Sequence, residues 1–70
     1  MAKYRKTALI EAEQYAPGME DGITEDGKPF ISTLEGKMLI SPTDWIATGI
    51  SGERWPIKEE IFKFTYEKVE

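Results

Sequence analysis

Apolar positions along this chain come in short runs, interrupted by Pro17-Gly18, Gly22, Gly27, Gly36, Pro42, Gly49, Gly52 and Pro56. No long 3.6-residue apolar period is present, so the spacing argues against a helical bundle and predicts several short strands. From Arg5 to Tyr15 the pattern is that of a half-buried strand. Ala8, Ile10 and Ala12 fall on one face, and Thr7, Leu9, Glu11, Glu13 and Tyr15 on the other. Residues 16–28 read as a long acidic loop, in which the triplet EDG occurs twice, at 20–22 and 25–27.

Two hairpins follow. In "FISTLEGKMLIS" a Glu35-Gly36 loop would set Leu34 opposite Lys37, Thr33 opposite Met38 and Ile31 opposite Ile40. Ile31, Thr33, Met38 and Ile40 then share one face, with Phe30, Leu34 and Leu39 on the other. In "SPTDWIATGISGERWPI" a Ser51-Gly52 loop would pair Ile50 with Glu53, Thr48 with Trp55 and Ile46 with Ile57. Trp55 then joins Ile46, Ile50 and Ile57 in the core. Trp45 points to the opposite side with Ala47, Gly49, Arg54, Pro56 and Lys58, free to contact a partner; a one-residue bulge, expected at Gly49 if anywhere, would reverse the assignment. "KEEIFKF" is long enough for one helical turn, and "FTYEKV" reads as a closing strand able to pair with the first.

The fold expected is therefore mainly β. It is a small antiparallel barrel or curved sheet of five to six short strands, SH3-like as the nearest architecture, with one short helical turn near the C-terminus. The expected core is Ile10, Ile31, Met38, Ile40, Ile46, Trp55, Ile57, Phe62 and Phe64 or Tyr66.

Length sharpens this picture. Seventy residues make one domain, 1–70, of a size whose core supplies only about 3–5 kcal/mol of net stability. There is no Cys for a disulfide, and no Cys or His for a zinc site. No apolar run nears the roughly 18 residues of a membrane span. "MAKYRKTALIEAE" has a basic start without the apolar stretch of a signal peptide, so the expected location is cytoplasmic and away from membranes.

The net charge of −4 is concentrated. Lys3, Arg5 and Lys6 open the chain, and then Glu11, Glu13, Glu20, Asp21, Glu25 and Asp26 follow with no base among them. Such a stretch disfavours direct nucleic-acid binding and suits a basic partner or simple solvation.

Catalysis finds little to work with. Without His or Cys, the acid-base and nucleophile inventory reduces to carboxylates, Lys, Tyr, Ser and Thr. Glu59-Glu60 read as helix-start acids, and Ser41 and Ser51 as turn residues. No nucleophile–base pair can be named, and a non-enzyme without cofactors is expected. "EDGITEDG" lacks the D-x-D-x-D-G alternation and distal Glu of a calcium loop, so no metal site is expected there. Nucleic-acid binding would need Lys3, Arg5, Lys6, Lys37, Arg54, Lys58 and Lys63, with Trp45 or Tyr4 stacking on a base. A nucleotide pocket would need Arg54 and Lys58 beside Trp45.

"KYRK", "ALIEAEQY", "ISTLEGKM", "SPTDWIATG", "SGERWPIKEEIF" and "TYEKV" together resemble a widespread group of small phage and prophage proteins of similar length. The similarity spans nearly the whole chain outside the 16–28 loop. Here Pro42-Thr43 stands where that group usually has Pro-Gly, and Ile57 where a Cys is common. The resemblance implies phage origin and a small β fold, and phages of this kind carry short acidic proteins that disable a host protein, some by presenting carboxylates in place of DNA phosphates. Glu11 and Glu13, two apart on one side of a strand, would lie about 7 Å from each other at ~3.4 Å per residue, close to the spacing of successive phosphates.

The expected function is thus inhibition of a host DNA-binding protein of the nucleoid-associated type, acting in the host cytoplasm as a nucleic-acid mimic. The partner-binding residues would be Glu11, Glu13, Glu20, Asp21, Glu25, Asp26 and Trp45. A phage structural or assembly role, and a small β-barrel that binds nucleic acid or a nucleotide, stand as alternatives. Partner identity and oligomeric state are left open.

Overall fold

The computed structural model describes residues 1–5 and 8–69; Lys6 of the basic cluster and Thr7 of the predicted first strand lie outside them. The described chain is mainly β, with six short strands: β1 (Glu11–Gln14), β2 (Gly22–Ile23), β3 (Pro29–Thr33), β4 (Gly36–Leu39), β5 (Trp45–Thr48) and β6 (Arg54–Ile57). One helix, α1 (Glu59–Thr65), ends the sequence of elements. The strands form two antiparallel three-stranded sheets, ordered β1-β5-β6 and β2-β3-β4. They make a curved two-sheet arrangement and do not close into a barrel.

β1 is shorter than the alternation from Arg5 to Tyr15 predicts because its partner is short. β5 supplies four residues, pairing Glu11–Gln14 with Thr48–Trp45, and is ended on one side by a turn at Ser41–Asp44 and on the other by a turn at Gly49–Glu53. An edge strand extends only as far as it finds backbone partners. The acidic 16–28 segment is not featureless. It contains β2, and its tip is a tight turn in which the Thr24 N–H donates to Lys28 O at 2.8 Å and the Gly27 N–H to Thr24 O at 2.9 Å.

Both predicted hairpins form in a different register. In the first, Ile31 pairs with Met38 and Thr33 with Gly36, so the loop is Leu34-Glu35 and not Glu35-Gly36. Every described non-glycine residue keeps negative φ, while Gly36 takes +112°. Glu35 would have needed positive φ in the predicted two-residue turn, so the glycine follows the loop. In the second hairpin the pairs are Trp45–Ile57, Ile46–Pro56, Ala47–Trp55 and Thr48–Arg54. The Gly49 N–H donates to Glu53 O at 2.8 Å, and Gly52 at φ +83° is the third residue of the loop. The extra loop residue is Gly52, and it shifts the pairing by one.

The shift exchanges faces. Paired residues project to the same side, so Trp45, Ala47, Trp55 and Ile57 share one face of the β1-β5-β6 sheet, while Ile46, Thr48, Arg54 and Pro56 share the other. The prediction that the two tryptophans lie on opposite faces is corrected. Ile46 packs with Ile31 and Ile40 of the other sheet's hairpin, sealed by Tyr15 and Met19. On the opposite face Trp45 stacks on Phe62 of α1, ring centroids 4.4 Å apart and 12° from parallel.

The buried apolar residues are Ile31, Ile40, Ile46, Ala47 and Ile57, joined by Pro56. Ile10, Trp55, Phe62 and Tyr66 of the predicted core are half-buried. Met38 and Phe64 are exposed, Phe64 at 90 %. Phe64 is out because the predicted closing strand does not form: α1 runs on to Thr65 and Tyr66 stacks on Phe62 at 5.2 Å. A helical period brings residues four apart together and sends Phe64 outward. Glu59 and Glu60 in the first turn, and the Lys63–Glu59 pair at 3.8 Å, favour this helix.

Candidate functional site

Glu11 and Glu13 lie on the face of β1 shared with Ile46, Thr48 and Arg54. That face is not a freely solvated exterior. The 16–21 segment folds over it and leaves an open groove of about 310 Å³, whose floor includes Ile46 and Met19 and whose rim includes Glu11, Glu13, Glu20 and Arg54.

Two acidic residues fasten the segment that forms this wall. Glu20 Oε1 accepts from the Tyr15 hydroxyl at 2.7 Å and from the Gly18 N–H at 2.9 Å. The Tyr15 bond first, then the Gly18 N–H, hold the Glu20 carboxyl below the usual glutamate range. The same bond to Glu20 pushes the Tyr15 hydroxyl up. Asp21 accepts from the Ser32 N–H at 2.8 Å and from Arg54 Nη1 at 3.3 Å, while Arg54 Nη2 donates to the Met19 carbonyl. Arg54 is thereby committed to clamping the wall, and the rim keeps an excess of negative charge.

The six predicted acidic contacts therefore divide. Glu11, Glu13 and Glu20 converge on the groove. Asp21 is a structural tie. Glu25 and Asp26 sit apart from the groove in the Thr24–Lys28 turn, where Asp26 accepts from the Thr24 hydroxyl and lies 4.0 Å from Lys28 Nζ. Among the described residues, no group of three or more acidic, His or Cys side chains is arranged to hold a metal ion. No helix among them is long and apolar enough to cross a membrane.

Trp45 is not free for a partner in the way its predicted orientation implied, since Phe62 occupies one face of its ring and its Nε1 is buried without a hydrogen-bond partner. The nucleotide pocket imagined from Arg54, Lys58 and Trp45 is not assembled. Arg54 lies on the opposite sheet face from Trp45, and Lys58 Nζ is drawn to the Ser41 hydroxyl at 2.9 Å and to Asp44 at 3.7 Å.

Asp44 is the residue that sequence reasoning passed over. It is 2 % exposed, accepts from the Ser41 N–H at 2.9 Å and returns its own N–H to Ser41 O at 3.0 Å. The spacing Ser41-Pro42-Thr43-Asp44 was the available signal, because an Asp three residues after a turn-opening Ser can close the loop through its side chain. Its carbonyl also accepts the Tyr15 N–H at 2.8 Å, which sets where β1 leaves the sheet. Set against protein-family models, curated proteins and solved structures, the chain matches none.

Proposed function

We propose that this chain is a non-enzymatic binding protein of the phage type it resembles, which occupies the basic DNA-binding surface of a host protein with the carboxylates of Glu11, Glu13 and Glu20. The observation that carries the reading is the groove rim. Glu11 and Glu13 project from one face of an edge strand, about 7 Å apart at ~3.4 Å per residue, beside a third carboxylate whose position is fixed by two hydrogen bonds. Carboxylates held in place, rather than on mobile loops, suit a partner whose cations are spaced to receive phosphates. The apolar floor of Ile46 and Met19 would take the aliphatic stem of an inserted Lys or Arg. The contact set is narrower than the sequence suggests, because Asp21 and Trp45 are used internally.

The test is capture from host lysate on immobilised protein, with mass spectrometry of the eluate. A basic DNA-binding protein is expected, displaced by added duplex DNA and by salt, and lost with the Glu11→Gln/Glu13→Gln double variant. Recovery of virion proteins alone, or binding insensitive to salt, DNA and the double substitution, would overturn the reading.

A further inference from the structure

Six short strands in two open sheets leave four edges, and the hydrogen-bond pattern tells which is open for pairing. On β6 the pairs flanking the Gly49–Glu53 bond alternate so that Arg54 and Pro56 turn their backbone groups outward. Pro56 has no N–H, which blunts that edge. β1 carries Glu11 and Glu13, so two copies of it would repel, and β2 has only two residues.

β4 has neither a proline nor a pair of like charges, and at four residues it is longer than β2; its single charge is Lys37. The Ile40 N–H donates to Pro29 O at 3.0 Å, so by alternation Met38 also turns its backbone groups toward β3, while Lys37 and Leu39 turn theirs outward. The β2 side agrees: Asp21 N–H donates to Phe30 O, and Asp21 Oδ2 accepts from the Ser32 N–H. All four β4 residues are exposed. Beside them an open, largely apolar groove of about 500 Å³ runs between β4 and α1, lined by Met38, Leu39, Trp55, Ile57, Ile61 and Tyr66.

We infer that a second copy of this chain pairs with β4, antiparallel about a two-fold axis at Met38, joining the two β2-β3-β4 sheets into one of six strands. The register follows from charge and from spent donors. Centring on Lys37 would set two like charges opposite each other. Centring on Leu39 would need the Ser41 N–H, which is already given to Asp44. Centring on Met38 pairs Lys37 with the partner's Leu39, satisfies the outward groups of both residues, and lets each Lys37 ammonium stay over its own Phe30 ring at 4.8 Å. The partner's Met38 then lies beside Met38 on the side facing Ile31 and β6, above the groove that Ile61 walls. A two-fold contact of this kind is self-complementary and closes.

Analytical ultracentrifugation with concentration-dependent amide exchange tests it. Twice the monomer mass is expected for the native chain, with the Lys37 and Leu39 amides gaining protection as concentration rises. Leu39→Pro removes an outward N–H that no intramolecular bond uses, and Met38→Lys opposes two charges at the axis; each should give a monomer with unchanged circular dichroism. A native chain that is monomeric at all concentrations, including one that instead captures extended peptides, would overturn the inference. So would a dimer that survives both substitutions, or one that leaves the Lys37 and Leu39 amides unprotected.

Discussion

Replacing Asp44 by alanine tests whether the Ser41–Asp44 turn holds the middle of the fold. The substitution leaves every backbone bond of the turn chemically possible and removes two side-chain interactions. The Ser41 N–H, part-buried, loses its acceptor at 2.9 Å, a loss of about 1–3 kcal/mol for a donor left unpaired. The Lys58 pair at 3.7 Å is also lost, but the lysine is 58 % exposed, so that contact contributes at most about 1 kcal/mol. Together the loss is about 1–4 kcal/mol, against a total of about 3–5 kcal/mol for a domain of this size. With a urea slope of about 1 kcal/mol/M, the midpoint should fall by about 1–4 M. Asp44→Asn keeps an acceptor for Ser41 while losing the charge, and should cost about 1 kcal/mol. Urea titrations followed by tryptophan fluorescence measure both. If the alanine midpoint moves by less than about 0.5 M, or if asparagine costs as much as alanine, the side-chain acceptor is not what holds the turn.

Tyr15→Phe should flatten both ends of the pH–stability profile. Glu20, lowered in the folded state by the Tyr15 bond, contributes stability present above its ordinary pKa and lost as pH falls through the lowered value. Tyr15, raised, contributes stability present below its ordinary pKa and lost as pH rises through the raised one. Urea midpoints across pH should show a native–variant gap that is steady near neutrality and narrows at both extremes; a gap constant through the acid limb would exclude the Glu20 bond as its source. Gly22→Ala would place a Cβ 2.5 Å from Phe30 Cζ, forcing the ring aside at a cost of about 1–3 kcal/mol, measured as a lower urea midpoint. Phe62→Ala, in a Trp55→Phe background, should red-shift the Trp45 emission, because the stacked ring at 4.4 Å is what covers it; an unmoved spectrum would mean that α1 does not shield the indole.

Glycine punctuation and short apolar runs were enough to indicate a mainly β chain of five to six short strands, although β2 lies in the segment read as loop and the closing strand does not form. They also identified Ile31, Ile40, Ile46 and Ile57 as core, because apolar β-branched residues in alternation carry their burial locally. Element ends were less legible. How far β1 extends depends on β5, which is distant in sequence, and whether Phe64 is buried depends on the Phe62–Tyr66 contact drawing the chain into a helix. The groove was hidden for the same reason. Nothing within "EDGITEDG" reveals that Glu20 and Asp21 are bonded to Tyr15, Ser32 and Arg54, whereas the convergence of Glu11 with Glu13 follows from strand period alone.

The two hairpins show which register errors matter. In the first, pairing is displaced by two residues, and a displacement of two leaves every side chain on its face: Ile31 and Met38 share a side in either register. In the second it is displaced by one, and every assignment across it inverts. Hydrophobicity could not arbitrate there because both faces of β5 and β6 are apolar, Ile46 and Pro56 toward the other sheet, Trp45, Ala47 and Ile57 on the face that α1 covers. A strand pair covered on both sides carries no polar face to fix its register. The deciding information is therefore in the loop, where Gly52 at φ +83° adds the third residue. Its consequence reaches the proposed site. Only with this register does Arg54 share a face with Glu11 and Glu13 and reach the Met19 carbonyl and Asp21, so a single loop glycine determines which strand face carries the groove.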